Sequence, residues 1–140
     1  MKISTRGRYG MRFLIDLAEH NGVLTTLADI AARQEISPRY LEQLSPLLKR
    51  AGFISSIKGS SGGYRLARPP SEIVIGDVLS VLEGDMLIAD PPPANSESTI
   101  QRCLRAMVYD KLNALIADVI NNKTLAQITE MSGQSPMYYI

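Results

Sequence analysis

Residues 26–44 read TLADIAARQEISPRYLEQL, two helix starts set a short turn apart. In the first, the Thr26 oxygen can cap a free backbone N–H, and Asp29 sits near the positive end of the helix dipole. That helix runs to about Gln34. After the turn Glu35-Ile36 the chemistry of the second start differs: Ser37 caps, and Pro38 takes the first helical position, where proline loses only an orphan donor. This third helix of the chain extends to about Ala51. Pro46 lies inside it and predicts a kink or break, because it removes the bond to the Glu42 carbonyl. Leu41, Leu44, Leu47 and Leu48 are expected to face a core, which leaves Arg39, Tyr40 and Gln43 on one exposed arc.

On the N-terminal side, Tyr9, Phe13, Leu14, Leu17 and Ala18 recur at helical spacing, with Arg12, Asp16 and Glu19 placed elsewhere on the helix surface. On the C-terminal side, Gly52 is a C-cap and residues 53–58 favour a strand. Gly59-Ser60-Ser61-Gly62-Gly63 then turns the chain back into Tyr64-Arg65-Leu66, a β-hairpin with a basic, glycine-rich tip. Residues 75–83 predict a fourth helix that ends at Gly84 and closes the core.

Residues 85–99, with Pro91-Pro92-Pro93 among them, cannot sustain a helix and read as a flexible loop. Beyond it Ile100, Leu104, Met107, Val108, Leu112, Leu115, Ile116, Val119 and Ile120 recur at three and four residues, as on a long one-sided helix. That stripe, from Ile100 to Val119, exceeds what the N-terminal core can cover and is assigned to a dimer contact, with intramolecular packing as the alternative. Thr124-Leu125-Ala126-Gln127 is a capping box that opens a short last helix. The expected architecture is mainly α with a small β-hairpin: a winged helix-turn-helix over residues 1–84, a loop over 85–99, and a dimerisation helix, short helix and tail over 100–140.

Charge separates the halves. Residues 1–70 carry 11 Lys/Arg against 5 Asp/Glu, net +6, and residues 71–140 carry 4 against 9, net −5. A polyanion is therefore expected on the first half. A helix is narrow enough to enter a major groove about 12 Å wide, so Arg39 can donate to guanine and Gln43 can pair with adenine. Lys58, Ser60, Ser61 and Arg65 offer phosphate or minor-groove donors, and Gly62 and Gly63 permit close backbone approach. Thr5, Arg6 and Arg8 can cap and charge the first helix near a phosphate. The alternative for these residues is a solvated helix face and a flexible turn.

One cysteine, Cys103, and one histidine, His20, exclude an intramolecular disulfide and a four-ligand zinc site from one chain, so no metal or other cofactor is expected. Cys103, flanked by Arg102 and Arg105 near a helix start, is a candidate redox thiol, or simply the border of a packed face. No apolar run approaches the roughly 18 residues that span a bilayer, and the first residues lack a signal-peptide core. A cytoplasmic protein with no membrane partner is expected. An enzyme is not: there is no acid pair at a recognisable spacing, and the glycine-rich tip lacks the lysine of a phosphate loop.

Met1-Lys2-Ile3-Ser4-Thr5-Arg6-Gly7-Arg8-Tyr9-Gly10, Leu27-Ala28-Asp29-Ile30-Ala31, Ser37-Pro38-Arg39-Tyr40-Leu41-Glu42-Gln43-Leu44 and Gly62-Gly63-Tyr64-Arg65-Leu66 together resemble the Rrf2 (BadM-like) family of winged-helix regulators, over essentially the whole chain. The resemblance implies a homodimer joined by the long helix and bound to an inverted-repeat operator. The segment from Ser37 to Gln43 would read DNA beside the wing of Gly62, Gly63, Tyr64 and Arg65. Family members that sense through an iron–sulfur cluster carry three cysteines in the segment matching residues 85–106. Here only Cys103 remains, and Ala106 stands where a histidine is expected, so a cluster is not anticipated. Val81-Leu82-Glu83-Gly84, Thr124-Leu125 and Met137-Tyr138-Tyr139-Ile140 are similar to the family's regulators of cysteine metabolism. That similarity implies repression of sulfur-acquisition genes with cysteine synthase as partner; a family regulator of another effector is the alternative. The tail Met137, Tyr138, Tyr139 and Ile140 would bind that enzyme as a mimic of a C-terminal isoleucine, or else pack on the chain's own dimer domain.

Overall fold

The computed structural model describes residues 2–134. Helices α1 (Thr5–Glu19), α2 (Leu27–Gln34) and α3 (Pro38–Arg50) lead into an antiparallel hairpin of β1 (Ile54–Ile57) and β2 (Gly63–Leu66). A short 3₁₀ turn (Pro70–Glu72) precedes α4 (Ile75–Glu83), and after the proline-bearing loop come α5 (Thr99–Leu104), α6 (Asp110–Asn121) and α7 (Leu125–Gln134).

Caps explain where the first helices begin. Thr26 Oγ1 accepts the Asp29 N–H at 3.1 Å, and Ser37 Oγ accepts the Tyr40 N–H at 3.4 Å. At α1 the cap is Ser4 rather than Thr5: its hydroxyl accepts the Gly7 N–H at 3.3 Å and donates to Glu83 at 2.6 Å. Pro46 does not break α3. The Glu42 carbonyl, deprived of a backbone donor by that proline, accepts the Ser45 hydroxyl at 3.3 Å instead.

Phe13, Leu14 and Leu17 of α1 form the centre of the core with Ile30, Leu41, Leu44, Leu48, Phe53, Val78 and Leu82. Leu47 is only half-buried, at the edge of this cluster. Asp16, read as a surface residue, is instead fully buried on the core side of α1. Leu125 of α7 lies in the same core, so the chain returns to the N-terminal unit after its long helix.

The long helix is not one uninterrupted α-helix. α5 and α6 are joined through a π turn at Arg105–Tyr109. Its start lies one residue earlier than the spacing of Ile100 suggests, because Ser98 and Gln101 close a capping box around Thr99. The far end is fastened to the winged unit. Ile75 N–H donates to the Lys123 carbonyl and Leu125 N–H to the Ile73 carbonyl, both at 2.9 Å, and a side chain at Gly76 would run into Asn121. The loop between α4 and α5 is tied to the same helix by Ile88 N–H donating to Asn113 Oδ1 at 2.7 Å.

Candidate nucleic-acid interface

The N-terminal half of α3 is the surface element with the clearest recognition chemistry. Pro38 and the Ser37 cap start it cleanly, and Leu41, Leu44 and Leu48 anchor one side in the core. Ser37, Arg39 and Gln43 are left exposed on the other side. Glu42 is exposed beside Gln43, three residues from Arg39, and its carboxylate can accept from a cytosine amino group, which adds an acceptor to the arc of Arg39 and Gln43. Tyr40 is different from its neighbours. It is half-buried, with its ring edge-on to Tyr9 at 5.5 Å, so its first duty is to seat α3 on α1.

Arg6 shares a cleft of about 290 Å³ with Tyr40, Gln43, Leu44 and Leu47. The fold therefore brings the start of α1 alongside the arc that carries Gln43. Thr5, Arg6 and Arg8 are all exposed, and Arg8 donates to Thr5 Oγ1 at 3.2 Å.

In the hairpin, Lys58, Ser60, Ser61 and Arg65 are exposed and available to an anion. The two glycines serve the protein's own backbone first. A Cβ at Gly62 would collide with the Ile57 carbonyl, and one at Gly63 would come within 2.8 Å of the Thr25 carbonyl. The crowding at Gly63 exists because Thr25 adds a bridge to the hairpin: Tyr64 N–H donates to Thr25 O at 2.7 Å and Thr25 N–H to Tyr64 O at 2.9 Å. The Tyr64 ring packs edge-on to Phe13 at 6.0 Å, which directs it to the core rather than outward. Lys49 Nζ donates to Ser56 Oγ within β1 at 2.8 Å, tying the end of α3 to the hairpin.

Behind this surface lies a polar cluster that periodicity could not reveal. Asp16 accepts both Arg33 Nη2 at 2.7 Å and Arg33 Nε at 3.0 Å, and its second oxygen also takes Gln34 Nε2 at 2.9 Å. Burial pushes the Asp16 carboxyl upward, but the Arg33 and Gln34 hydrogen bonds and the nearby Arg33 and His20 together outweigh it and hold the group below the usual carboxylate range. The signal available in sequence was an acid at a position that otherwise belongs to the apolar face, since Phe13 and Leu17 flank it.

Ile100, Met107, Leu115 and Val119 are 60–74% exposed, with Leu104, Val108 and Leu112 also exposed. Ile116 is half-buried and, with Ile3, Met86, Ile88 and Leu115 among others, lines an apolar groove of about 460 Å³. Cys103 is exposed. Its neighbour Arg105 is occupied by Glu97, at 2.7 and 2.8 Å, and by Asp110 at 3.1 Å. The Arg105 hydrogen bond holds the Glu97 carboxyl below its ordinary range. Met137, Tyr138, Tyr139 and Ile140 lie outside the described residues. No helix among the described residues is long and apolar enough to cross a membrane.

A family model described as Rrf2, iron-dependent transcriptional regulator, matches residues 3–131. The HTH-type transcriptional regulator CymR of Bacillus subtilis is 36% identical over 148 residues, spanning 100% of both chains. Its solved structure, described as that of the global cysteine regulator of that organism, superposes with a TM-score of 0.80 over 94% of this chain and 98% of the other. A relative named rrf2 from Nitratidesulfovibrio vulgaris is 48% identical over 97% of this chain and 92% of its own. The structure of T. potens IscR is 36% identical, with a TM-score of 0.78 over 98% of this chain and 92% of that one.

Proposed function

Because the chain belongs to the Rrf2 family of DNA-binding transcriptional regulators, which are not enzymes, we propose that it is a homodimeric repressor of cysteine and sulfur-metabolism genes. The observation that carries the DNA-reading part is the exposed arc of Arg39 and Gln43 at the capped start of α3, with Arg6 at its flank, on the half of net charge +6. Bases are read by Arg39, Glu42 and Gln43. Thr5, Arg6, Arg8, Ser37, Lys58, Ser60, Ser61 and Arg65 hold backbone phosphates, and Gly62, Gly63, Tyr40 and Tyr64 shape the elements that present them.

The dimer rests on the stripe from Ile100 to Val119, most of whose apolar side chains stay exposed in the single chain, and on the apolar groove that Leu115, Ile116 and Val119 share with Ile3, Met86 and Ile88. Two recognition helices related by a two-fold axis call for an inverted-repeat operator. The sulfur assignment is supported by similarity to CymR across the full length of both chains. On that assignment cysteine synthase is the partner, contacted by Met137, Tyr138, Tyr139 and Ile140.

Similarity to IscR and the iron-dependent description of the family model favour a second reading, regulation linked to iron. The donor set does not fit a cluster: Cys103 is the only cysteine in the sequence, and no three His, Cys, Asp or Glu side chains gather as metal ligands among the described residues. Cys103 as a redox thiol is the remaining form of that reading.

Duplexes selected from a random pool, with and without cysteine synthase, test the assignment. The expected result is an inverted repeat that also occurs upstream of sulfur-acquisition genes, bound differently when the enzyme is present. A repeat found only upstream of unrelated genes would remove the sulfur assignment, and no recovered sequence would remove the DNA-reading one.

A further inference from the structure

We propose that Arg12 is a positioning residue for α3, a bracket across the turn that sets the recognition helix against α2. The inference deepens the DNA-reading role above and rests on it.

The last carbonyls of α2 have no partner within the helix, and its C-terminal end favours a cation. Arg12, half-buried on α1, supplies one: its Nη2 donates to the carbonyl of Gln34, the final residue of α2. Its Nε donates at 3.4 Å to Gln34 Oε1, while the nitrogen of that amide donates to Asp16 at 2.9 Å. The amide is thus held at both ends, and its orientation is fixed by one acceptor and one donor. At the next residue, Glu35, the backbone enters the left-handed region with φ 54°, and the chain turns into α3.

The same guanidinium also packs on a ring of its own helix, Tyr9, and reaches α3 only through it. It lies 5.3 Å from the centroid of the Tyr9 ring, which in turn meets the Tyr40 ring edge-on in the first turn of α3. Arg12 therefore touches the last residue before the turn directly and the first helical turn after it through one ring. Asp16 is engaged by Arg33 and Gln34, and the acceptors Arg12 finds are a neutral amide and a carbonyl. Two in-plane donors and a flat face used together are what a guanidinium offers and an ammonium does not. The tilt of Arg39, Glu42 and Gln43 toward a duplex depends on this bracket.

The test uses the full chain with a duplex that the wild type selects from a random pool, against a scrambled duplex of equal length. Arg12→Lys is expected to keep the melting temperature within a few degrees, the affinity for scrambled duplex and the salt slope. It should lower the preference for the selected duplex by about tenfold, the worth of roughly one bidentate base contact. Tyr9→Leu is expected to lower that preference similarly, and Tyr9→Phe to preserve it. Full preference in Arg12→Lys would show that the guanidinium geometry sets nothing and would overturn the bracket; a salt slope reduced by about one in Arg12→Met would mean that the charge contacts phosphate directly and would overturn it too. Unchanged preference in Tyr9→Leu would overturn it as well. A wild type that selects no sequence removes the DNA-reading role itself, a result distinct from either.

Discussion

Neutralising Asp16 tests how α1 is held to α2. Asp16→Asn keeps the size of the side chain but surrenders the charge that Arg33 and Gln34 are arranged to meet. Hydrogen bonds to a charged group contribute about 1.5–3 kcal/mol, and because Arg33 keeps 37% of its side chain exposed, the lower end is expected in denaturant unfolding. The folded-state pKa of Asp16 lies below the unfolded value, so its contribution is present above the ordinary carboxylate range and is lost as pH falls through the lowered folded value. The stability gap between wild type and variant should accordingly narrow in acid. At the surface, Gln43→Ala should change which base is preferred at one operator position. Arg65→Ala should weaken all duplexes alike and lower the salt slope by about one; equal weakening by both would show that Gln43 does not read a base. The sequence makes Gln43 visible because an exposed arc is a matter of spacing within one helix. It hides Asp16 because the partners that justify its burial lie 17 and 18 residues away, on another helix.

Among the elements, the capped starts of α2 and α3 were legible because each cap is a local bond between residues three apart. The interior of α3 and of the long helix was not. A proline signals a lost bond but not the Ser45 hydroxyl that takes up the freed carbonyl, and a three-and-four periodicity cannot register the extra residue of the π turn at Arg105–Tyr109. The hairpin was legible in kind, whereas the reason for its glycines was not, since Thr25 reaches it from before α2. Gly62 answers to a nearer neighbour: Gly62→Ala should cost about 1–3 kcal/mol through collision with the Ile57 carbonyl, read as a lower melting temperature. Ser61→Ala, one residue earlier and exposed, should stay within about 0.5 kcal/mol. For the long helix, Leu115→Glu places a charge at an exposed site that folding does not need to bury. Sedimentation should show monomers with native helix content and poor operator binding. An intact dimer would relocate the interface.

At the scale of the whole molecule, charge asymmetry and element order pointed to a basic reading half and an acidic second half, but neither states how the two are joined. The joint is made at α4 and α6. Gly76 gives α4 a bare backbone where Asn121 of α6 presses in, with the Ile120 carbonyl 3.3 Å from where a Cβ would stand. The backbone bonds between Ile75 and Lys123 and between Leu125 and Ile73 hold the same junction. In a dimer built on the long helix, this packing sets the separation of the two α3 helices, which must match half-sites about 34 Å apart or a multiple of that. Gly76→Val should wedge the junction open without touching the dimer stripe or any DNA-facing residue. The expected outcome is an intact dimer by sedimentation, an unchanged salt slope on scrambled duplex, and operator affinity lowered by about tenfold or more, since the second half-site no longer meets its helix in register. Gly76→Ala should do less, because the Asn121 side chain can swing away and the Ile120 carbonyl need give only slightly to a single methyl, whereas the branched valine adds bulk beyond that Cβ. Operator affinity equal to wild type in a folded Gly76→Val dimer would show that half-site spacing is governed elsewhere, leaving the roles of α3 and the stripe to stand on their own tests.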